Sequence, residues 1–288
     1  MIKAQSYALK IAACLCGVTV IAVTLFVFGY IFVKGWESMS WTFITDRPRG
    51  FPLGSEGGVF PAIMGTAYLG ALSGLMAGIV GCAVAVYVVF FSKNKYINGI
   101  IRVSLYFLSG LPSILFGLVG YTILLNLLGI GRSLLTAGIT VAVMILPFIA
   151  IRMIKIFKED IVELFNASLS LGLSRTYILR KLILPKYFIS LLTSVTLGMA
   201  YGVGAAAPVI YTGAVVFAQV PQSVHQPFMS LSYHLYMLIN DGISIENAYG
   251  SAFLLMFMLL VVNIFCRALG YLQKRGSDRL GRKHRSDK

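Results

Sequence analysis

Long stretches without a single charged residue constrain this 288-residue chain more than any other feature of its sequence. A hydrocarbon core about 30 Å thick needs roughly 20 consecutive apolar residues for each helix that crosses it. Uncharged apolar stretches of about that length occur at residues 11–33, 59–91, 103–128, 134–151, 187–211 and 248–266. The composition, with 58% hydrophobic and only 12% charged residues, agrees with this pattern. We predict an all-α polytopic membrane protein with about six transmembrane helices.

The distribution of basic residues predicts the orientation of these spans. If the six stretches alternate in direction, 20 of the 24 Lys and Arg residues fall on the side that carries both termini. Because basic residues concentrate in cytoplasmic loops, we expect both termini in the cytoplasm and a multi-pass location in the cell inner membrane. This bias explains the net charge of +14 through topology and contact with the lipid bilayer. We expect no nucleic-acid partner, since no large folded basic domain is available.

The placement of ionisable residues and cysteines, and the absence of a nucleotide-binding motif, argue against several classes of function. No Asp, Glu, Lys or Arg lies within any of the six stretches, although ion-coupled transporters usually place ionisable residues there. The four cysteines lie inside these stretches without metal-ligand spacing, so we expect no metal site and no catalytic thiol. No G-x-x-x-x-G-K-[ST] motif occurs, which predicts that the chain is not an enzyme and does not itself hydrolyse ATP. His225, His234 and His284 are interpreted as ordinary loop residues.

The fifth apolar stretch interrupts its own helical pattern. Gly202 and Gly204 precede three alanines and Pro208, which lacks a backbone donor. Irregular backbone survives in a bilayer only where protein or a water-filled path covers it, so we expect a break that lines a pathway; a tolerated proline kink is the alternative. The candidate pathway residues are Ser109, Ser113, Tyr201, Ala205, Pro208 and Thr212. Two GxxxG spacings, beginning at Gly74 and Gly198, predict close helix packing.

The segment between the fourth and fifth spans, residues 159–186, has the pattern of two short amphipathic helices. Gly172 permits a turn between them, and Ser174 can cap the second helix. Pro185 is expected to end the second helix and to open the next span. Such a pair forms a rigid protrusion suited to a groove on a cytoplasmic partner. From spacing alone, a helix pair that lies at the membrane interface fits equally well.

A motif in this segment resembles a known transporter signature. Asn166-Ala167-Ser168, three further residues, Gly172, nine further residues and Leu182-Ile183-Leu184-Pro185 are similar to the EAA loop of ABC-importer permeases, E-A-A-x3-G-x9-I-x-L-P. The resemblance implies a type I ABC-importer permease fold with a cytoplasmic coupling helix that docks on an ATPase. It gives the coupling role to Asn166, Ala167, Ser168, Gly172, Leu182, Leu184 and Pro185. Asn166 replaces the usual Glu.

Other segments resemble the A-type permease subunit of the phosphate transport system. They are residues 57–66, 111–121, 207–208 and 211–212. In the fifth span, Tyr201 and Ala205 stand where that family usually has Arg and Glu, so both members of a buried ion pair are missing together. The resemblance implies import of inorganic phosphate with a cytoplasmic ABC ATPase dimer, a second homologous permease subunit and an external phosphate-binding protein. ATP would bind to the partner ATPase, and this chain would bind no cofactor.

We expect three parts of the chain. They are an N-terminal anchor with an external loop (1–58), a transmembrane domain (59–271, with the coupling loop at 159–186) and a basic cytoplasmic tail (272–288). Three alternatives to phosphate import stay open. The first is a permease of the same class for another oxyanion such as molybdate, tungstate or sulfate. The second is an ion-coupled secondary transporter, which predicts inverted repeats, and the third is a scaffold that transports nothing.

Overall fold

The computed structural model describes the backbone of residues 2–286 and the side chains of residues 9–270 except Asp160 and Leu269. Its α-helices are α1 (Ile2–Glu37), α2 (Trp41–Thr45), α3 (Phe60–Val86), α4 (Lys95–Gly110), α5 (Ser113–Gly120), α6 (Leu134–Asp160), α7 (Val162–Ser170), α8 (Arg175–Tyr177), α9 (Leu184–Gly204), α10 (Ala206–Thr212), α11 (Leu231–Asn240) and α12 (Ile245–Ser286). The π-helical segments are Tyr87–Phe91 after α3, Tyr121–Leu127 after α5 and Ile178–Ile183 between α8 and α9. Strands β1 (Pro48–Arg49) and β2 (Glu56–Gly57) form a short antiparallel hairpin. The side chains of the predicted basic tail, 272–288, lie outside the described residues.

Five helices among the described residues are long and apolar enough to cross a membrane, and a sixth span results if α4 and α5 count as one. The predicted all-α bundle of about six spans is confirmed. The stretch at 103–128 is not one continuous helix, as the sequence led us to expect, because α4 and α5 meet at 101°. Pro112 disfavours helical geometry in the residue before it, and Leu111 accordingly adopts extended angles of φ −75° and ψ 137°.

Helices α3, α6 and α9 form the centre of the bundle. Gly198 of α9 faces Ile149 of α6 so closely that a Cβ atom at this glycine would lie 2.5 Å from the isoleucine Cγ1. Gly74 of α3 lies against Met199 of α9 in the same way. Ile149 is fully buried. Both GxxxG spacings therefore allow close contact between helix backbones, as predicted.

The segment between α1 and α3 forms an ordered cap over α11 and the start of α12. Phe43 of α2 is only 3% exposed. Its ring belongs to a buried apolar cluster that includes Val59, Met229, Leu231 and Met237. The Asn247 side-chain amide donates to the carbonyl oxygen of Gly54 at 3.0 Å and so ties the hairpin loop to α12. Trp36 and Trp41 stay exposed at the edge of this cap.

The interpretation of His234 as an ordinary loop residue is wrong. His234 lies on α11, is 1% exposed, and its Nδ1 shares a hydrogen bond of 2.8 Å with the hydroxyl of Ser251 on α12. Burial lowers the pKa of His234 to about 4, so the imidazole is neutral near pH 7. The imidazole packs against Phe217, with 6.5 Å between ring centroids, and against Ser251 of α12. Both residues lie outside α11, so the helical pattern around His234 does not reveal its burial.

Candidate functional site

Gly172 makes the turn between α7 and α8, as predicted. Its φ of +81° lies in the left-handed region that favours glycine. The N–H of Gly172 donates to the carbonyl of Leu169 at 2.9 Å, and the N–H of Leu173 donates to the carbonyl of Ser168 at 3.3 Å. These two bonds form a Schellman motif at the end of α7. Ser174 then caps α8 by accepting a backbone N–H from its first turn, also as predicted.

Buried aromatic rings attach this helical turn to the ends of α3 and α6. The ring of Phe165 on α7 lies 4.6 Å, centroid to centroid, from Phe90, which in turn lies 5.4 Å from Phe157 of α6. The guanidinium of Arg175 donates to the carbonyl of Phe90 at 3.2 Å. These contacts join α7 to the segment that follows α3 and, through Phe90, to α6. The sequence does not predict this anchor, because nothing in its pattern pairs Phe90 with Phe165.

The predicted coupling residues divide into an exposed and a buried group. Asn166, Ala167 and Gly172 lie on the exposed surface of the protrusion. Leu171, next to the glycine, is 81% exposed and adds an apolar group to that surface. Ser168 is buried, and its hydroxyl donates to a carbonyl within α7. The exposed group has the mixed polar and apolar character of a contact surface, whereas Ser168 supports the helix.

Leu182 and Leu184 pack half-buried against the core, and Pro185 is exposed. The expectation that Pro185 ends the second helix is wrong, because helical backbone continues from Arg175 through Ile178–Ile183 into α9. A π-helical segment spaces its hydrogen bonds from i to i+5. This wider spacing directly precedes Pro185. The helix therefore accommodates the proline ring and the missing backbone N–H of Pro185 without a break. The second helix of the coupling loop and the fifth span therefore form one helical rod.

The helix break predicted in the fifth span lies at Ala205. This residue has extended angles of φ −84° and ψ 104° between α9 and α10. α10 then packs against α5 in a parallel register through glycines. A Cβ atom at Gly117 would lie 2.9 Å from the Pro208 Cα, and one at Gly120 would lie 3.0 Å from the Thr212 Cγ2. The two short helices that follow the breaks at Pro112 and Ala205 thus lie side by side.

The six candidate pathway residues occupy different environments. Thr212 and Pro208 are buried, and the Thr212 hydroxyl donates to the Pro208 carbonyl at 2.7 Å. The Ser109 hydroxyl donates within its own helix at 2.8 Å. Ser113 and Ala205 are half-buried at the starts of α5 and α10. Tyr201 is the one exposed member of the six, at 45%, and its ring lies 4.7 Å from the ring of Phe148 on α6.

The chain is similar to known proteins in both sequence and fold. Residues 70–278 match the family described as the binding-protein-dependent transport system inner membrane component. The probable ABC transporter permease protein YqgI of Bacillus subtilis is 25% identical over 277 residues, which cover 89% of this chain and 92% of that protein. The phosphate transport system permease protein PstA 2 of Mycobacterium bovis is 28% identical over 273 residues, which cover 93% and 88%. A solved chain of the MetNI methionine ABC transporter, in an inward-facing conformation, aligns with a TM-score of 0.60 at 17% identity and covers 75% and 97%.

The fold and the family match define a class of protein, the membrane-spanning permeases with the type I ABC-importer fold. The family match covers most of the sequence. The chain therefore belongs to the family of binding-protein-dependent transport system inner membrane components. It is a multi-pass permease subunit of an ABC importer, and the subunits of this family are transport components rather than enzymes. Such subunits work with an ATPase and a substrate-binding protein.

Proposed function

We propose that this permease imports inorganic phosphate across the cell inner membrane, with its termini and the α7–α8 protrusion in the cytoplasm. The relative PstA 2, a phosphate transport system permease protein, aligns with 93% of the chain. The excess of basic residues on the side of the termini supports the orientation. The proposed complex contains a cytoplasmic ATPase dimer, a second homologous permease and an external phosphate-binding protein.

The observation that carries the mechanism is the rigid attachment of the α7–α8 protrusion to the bundle. Asn166, Ala167 and Gly172 would enter a groove on the ATPase, and ATP would bind and be hydrolysed there. Closure of the ATPase dimer would push the protrusion. Phe165 and Phe90 would pass the push to α3 and α6, and the helical rod that ends in α9 would pass it to the break at Ala205. The bundle would then alternate between inward-facing and outward-facing states.

One feature of the fifth span favours a second candidate substrate. Tyr201 and Ala205 provide no charge at the positions where phosphate permeases of this type usually have Arg and Glu. Tyr201 instead packs on Phe148. An anion would then be held by hydroxyl and backbone groups and by the partner permease. A different oxyanion, such as molybdate, tungstate or sulfate, is therefore the alternative substrate.

Uptake measurements separate the two substrates. Phosphate-starved cells that lack this gene are compared with the same cells carrying the wild-type gene, using labelled phosphate with unlabelled phosphate, sulfate, molybdate or tungstate as competitors. The proposal predicts that uptake collapses without the gene and that only phosphate competes. Unchanged phosphate uptake would contradict it, and the panel is then repeated with each labelled oxyanion.

A further inference from the structure

A large apolar groove lies between α1 and α12, on a face of the bundle that the coupling mechanism does not use. Its volume is about 670 Å³. This is within the range of roughly 300–1,000 Å³ that is typical of sites for small organic ligands. From α1 only Val27, Phe28 and Ile31 line the groove, whereas α12 lines it all the way from Ala252 to Arg267. The groove therefore follows α12 and is open along much of its length.

The two helices touch at one end only, which explains why the groove widens. A Cβ atom at Gly35 of α1 would lie 2.5 Å from the Phe253 Cβ of α12, and the ring of Phe32 lies 5.4 Å from the ring of Phe253. From Leu9 to Tyr30 every side chain of α1 is exposed, and none of its most apolar stretch is buried. Because α1 and α12 are antiparallel, the gap opens towards Arg267.

The lining is apolar except at that open end. Ten of the 12 lining residues are apolar, and the polar pair is Asn263 and Arg267. The Asn263 amide donates to the carbonyl of Leu259 within α12 at 2.8 Å. Arg267 is exposed and provides the charge at the mouth of the groove. Among the described residues that line it, the groove thus combines a long apolar wall with one cationic side chain, Arg267, at one end.

The dimensions fit one leaflet of a bilayer. The 16 residues from Ala252 to Arg267 span about 22 Å along a helix. One leaflet contributes about 15 Å of hydrocarbon, so Arg267 lies at headgroup level when the deep end lies near the midplane. This end of α12 is also on the side where 20 of the 24 basic residues are found. Basic pockets between transmembrane helices on the cytoplasmic side bind anionic headgroups.

We propose that the α1–α12 groove binds an anionic phospholipid, with its phosphate at Arg267 and an acyl chain along α12. The lipid fills the gap that α1 leaves and holds this helix against the bundle. The proposal does not depend on the transported substrate, so it stands or fails separately from phosphate import.

The test is native mass spectrometry of the full-length transporter complex, purified in mild detergent and supplied with equal amounts of phosphatidylglycerol and phosphatidylethanolamine. We expect preferential retention of phosphatidylglycerol. Removing the charge with Arg267→Gln should lower this retention about fivefold, the effect of one basic residue near a membrane surface. Met256 lies in the apolar wall, so Met256→Trp should fill part of the groove and lower the retention of both lipids.

The matched control is Arg102→Gln on α4, because Arg102 does not line the groove. It should leave the lipid ratio unchanged. Equal retention of the two lipids, or the same loss in Arg102→Gln as in Arg267→Gln, overturns the proposal. A further test introduces Leu260→Cys in the groove and a cysteine on a transmembrane helix of the second permease. A disulfide between the two in membranes also overturns the proposal, since a protein helix then occupies the groove.

Discussion

Substitution of Gly172 tests the coupling loop most sharply, because the structure separates backbone strain from surface contact at this residue. Gly172 has a φ of +81°, and no atom lies within 4 Å of a Cβ placed there. Gly172→Ala therefore adds conformational strain without a clash. Left-handed geometry costs an L-residue about 1–2 kcal/mol, which lowers the population of the capped turn about 5- to 30-fold relative to competing conformations. Asn tolerates this region far better.

The assay is the number of substrate ions imported per ATP hydrolysed by the reconstituted transporter in liposomes. Gly172→Asn should stay near the wild-type ratio, and Gly172→Ala should lower the ratio through strain. Gly172→Arg should lower it further, because its side chain also obstructs the surface that docks on the ATPase. All three variants should still reach the membrane, since the turn is exposed and lies outside the bundle core.

Gly242 provides a matched control at the opposite end of the molecule. It has a φ of +64°, nothing within 4 Å of a Cβ, and the same Schellman pair of backbone bonds at the end of α11. Gly242→Arg should leave the transport ratio close to that of the wild type. If Gly172→Arg lowers the ratio no more than Gly172→Ala, the surface around Gly172 does not dock on a partner. If Gly242→Arg uncouples as strongly, backbone strain alone explains the effect and the reasoning is refuted.

Three further predictions concern stability. Gly198→Ala should lower the melting temperature, since Ile149 leaves no room for a Cβ and overpacking costs about 1–3 kcal/mol. The control Gly99→Ala should not lower it, because nothing lies within 4 Å of a Cβ there. Equal melting temperatures for the two variants would contradict the close packing at Gly198. Phe165→Ala should cost about 3–5 kcal/mol and expose the loop to limited proteolysis, so an unchanged cleavage rate would rule out the aromatic anchor. The folded-state pKa of His234, about 4, lies below its ordinary 6.5, so the unfolded chain binds more protons between these values. Stability should therefore fall as pH drops from about 6.5 to 4, by up to about 3 kcal/mol, and melts of His234→Gln against pH should show a flatter profile.

Local chemistry made much of the fold and the coupling loop predictable. The apolar stretches, the turn at Gly172, the cap at Ser174 and the break near Pro208 each depend on a residue and its immediate neighbours. The bend at Pro112 has an equally local cause, but its position inside one long apolar stretch concealed it. At Pro185, the rule that proline ends a helix gave a wrong prediction, because the π-helical segment before Pro185 accommodates the proline within a continuous helix.

Features that depend on distant residues were not predictable. The Phe90–Phe165 contact joins segments far apart in sequence, and the burial of His234 depends on how α11 packs against the next helix, α12. Both follow from how the helices pack, and that packing cannot be predicted from the local patterns of a single sequence. The same limit applies to the pathway. Thr212 has a suitable hydroxyl, but its full burial follows only when α10 is packed against α5 and α6.

The central claim is that the α7–α8 protrusion docks on the ATPase, and disulfide cross-linking in membranes tests it most directly. Ala167→Cys is introduced into a chain that lacks its four native cysteines and is paired with a cysteine on the cytoplasmic ATPase of its transporter. Asp241→Cys, exposed at the other end of the molecule, is the control. The account predicts a cross-link from residue 167 to the ATPase and none from residue 241. A cross-link from residue 241, or none from residue 167 while transport is intact, would contradict it.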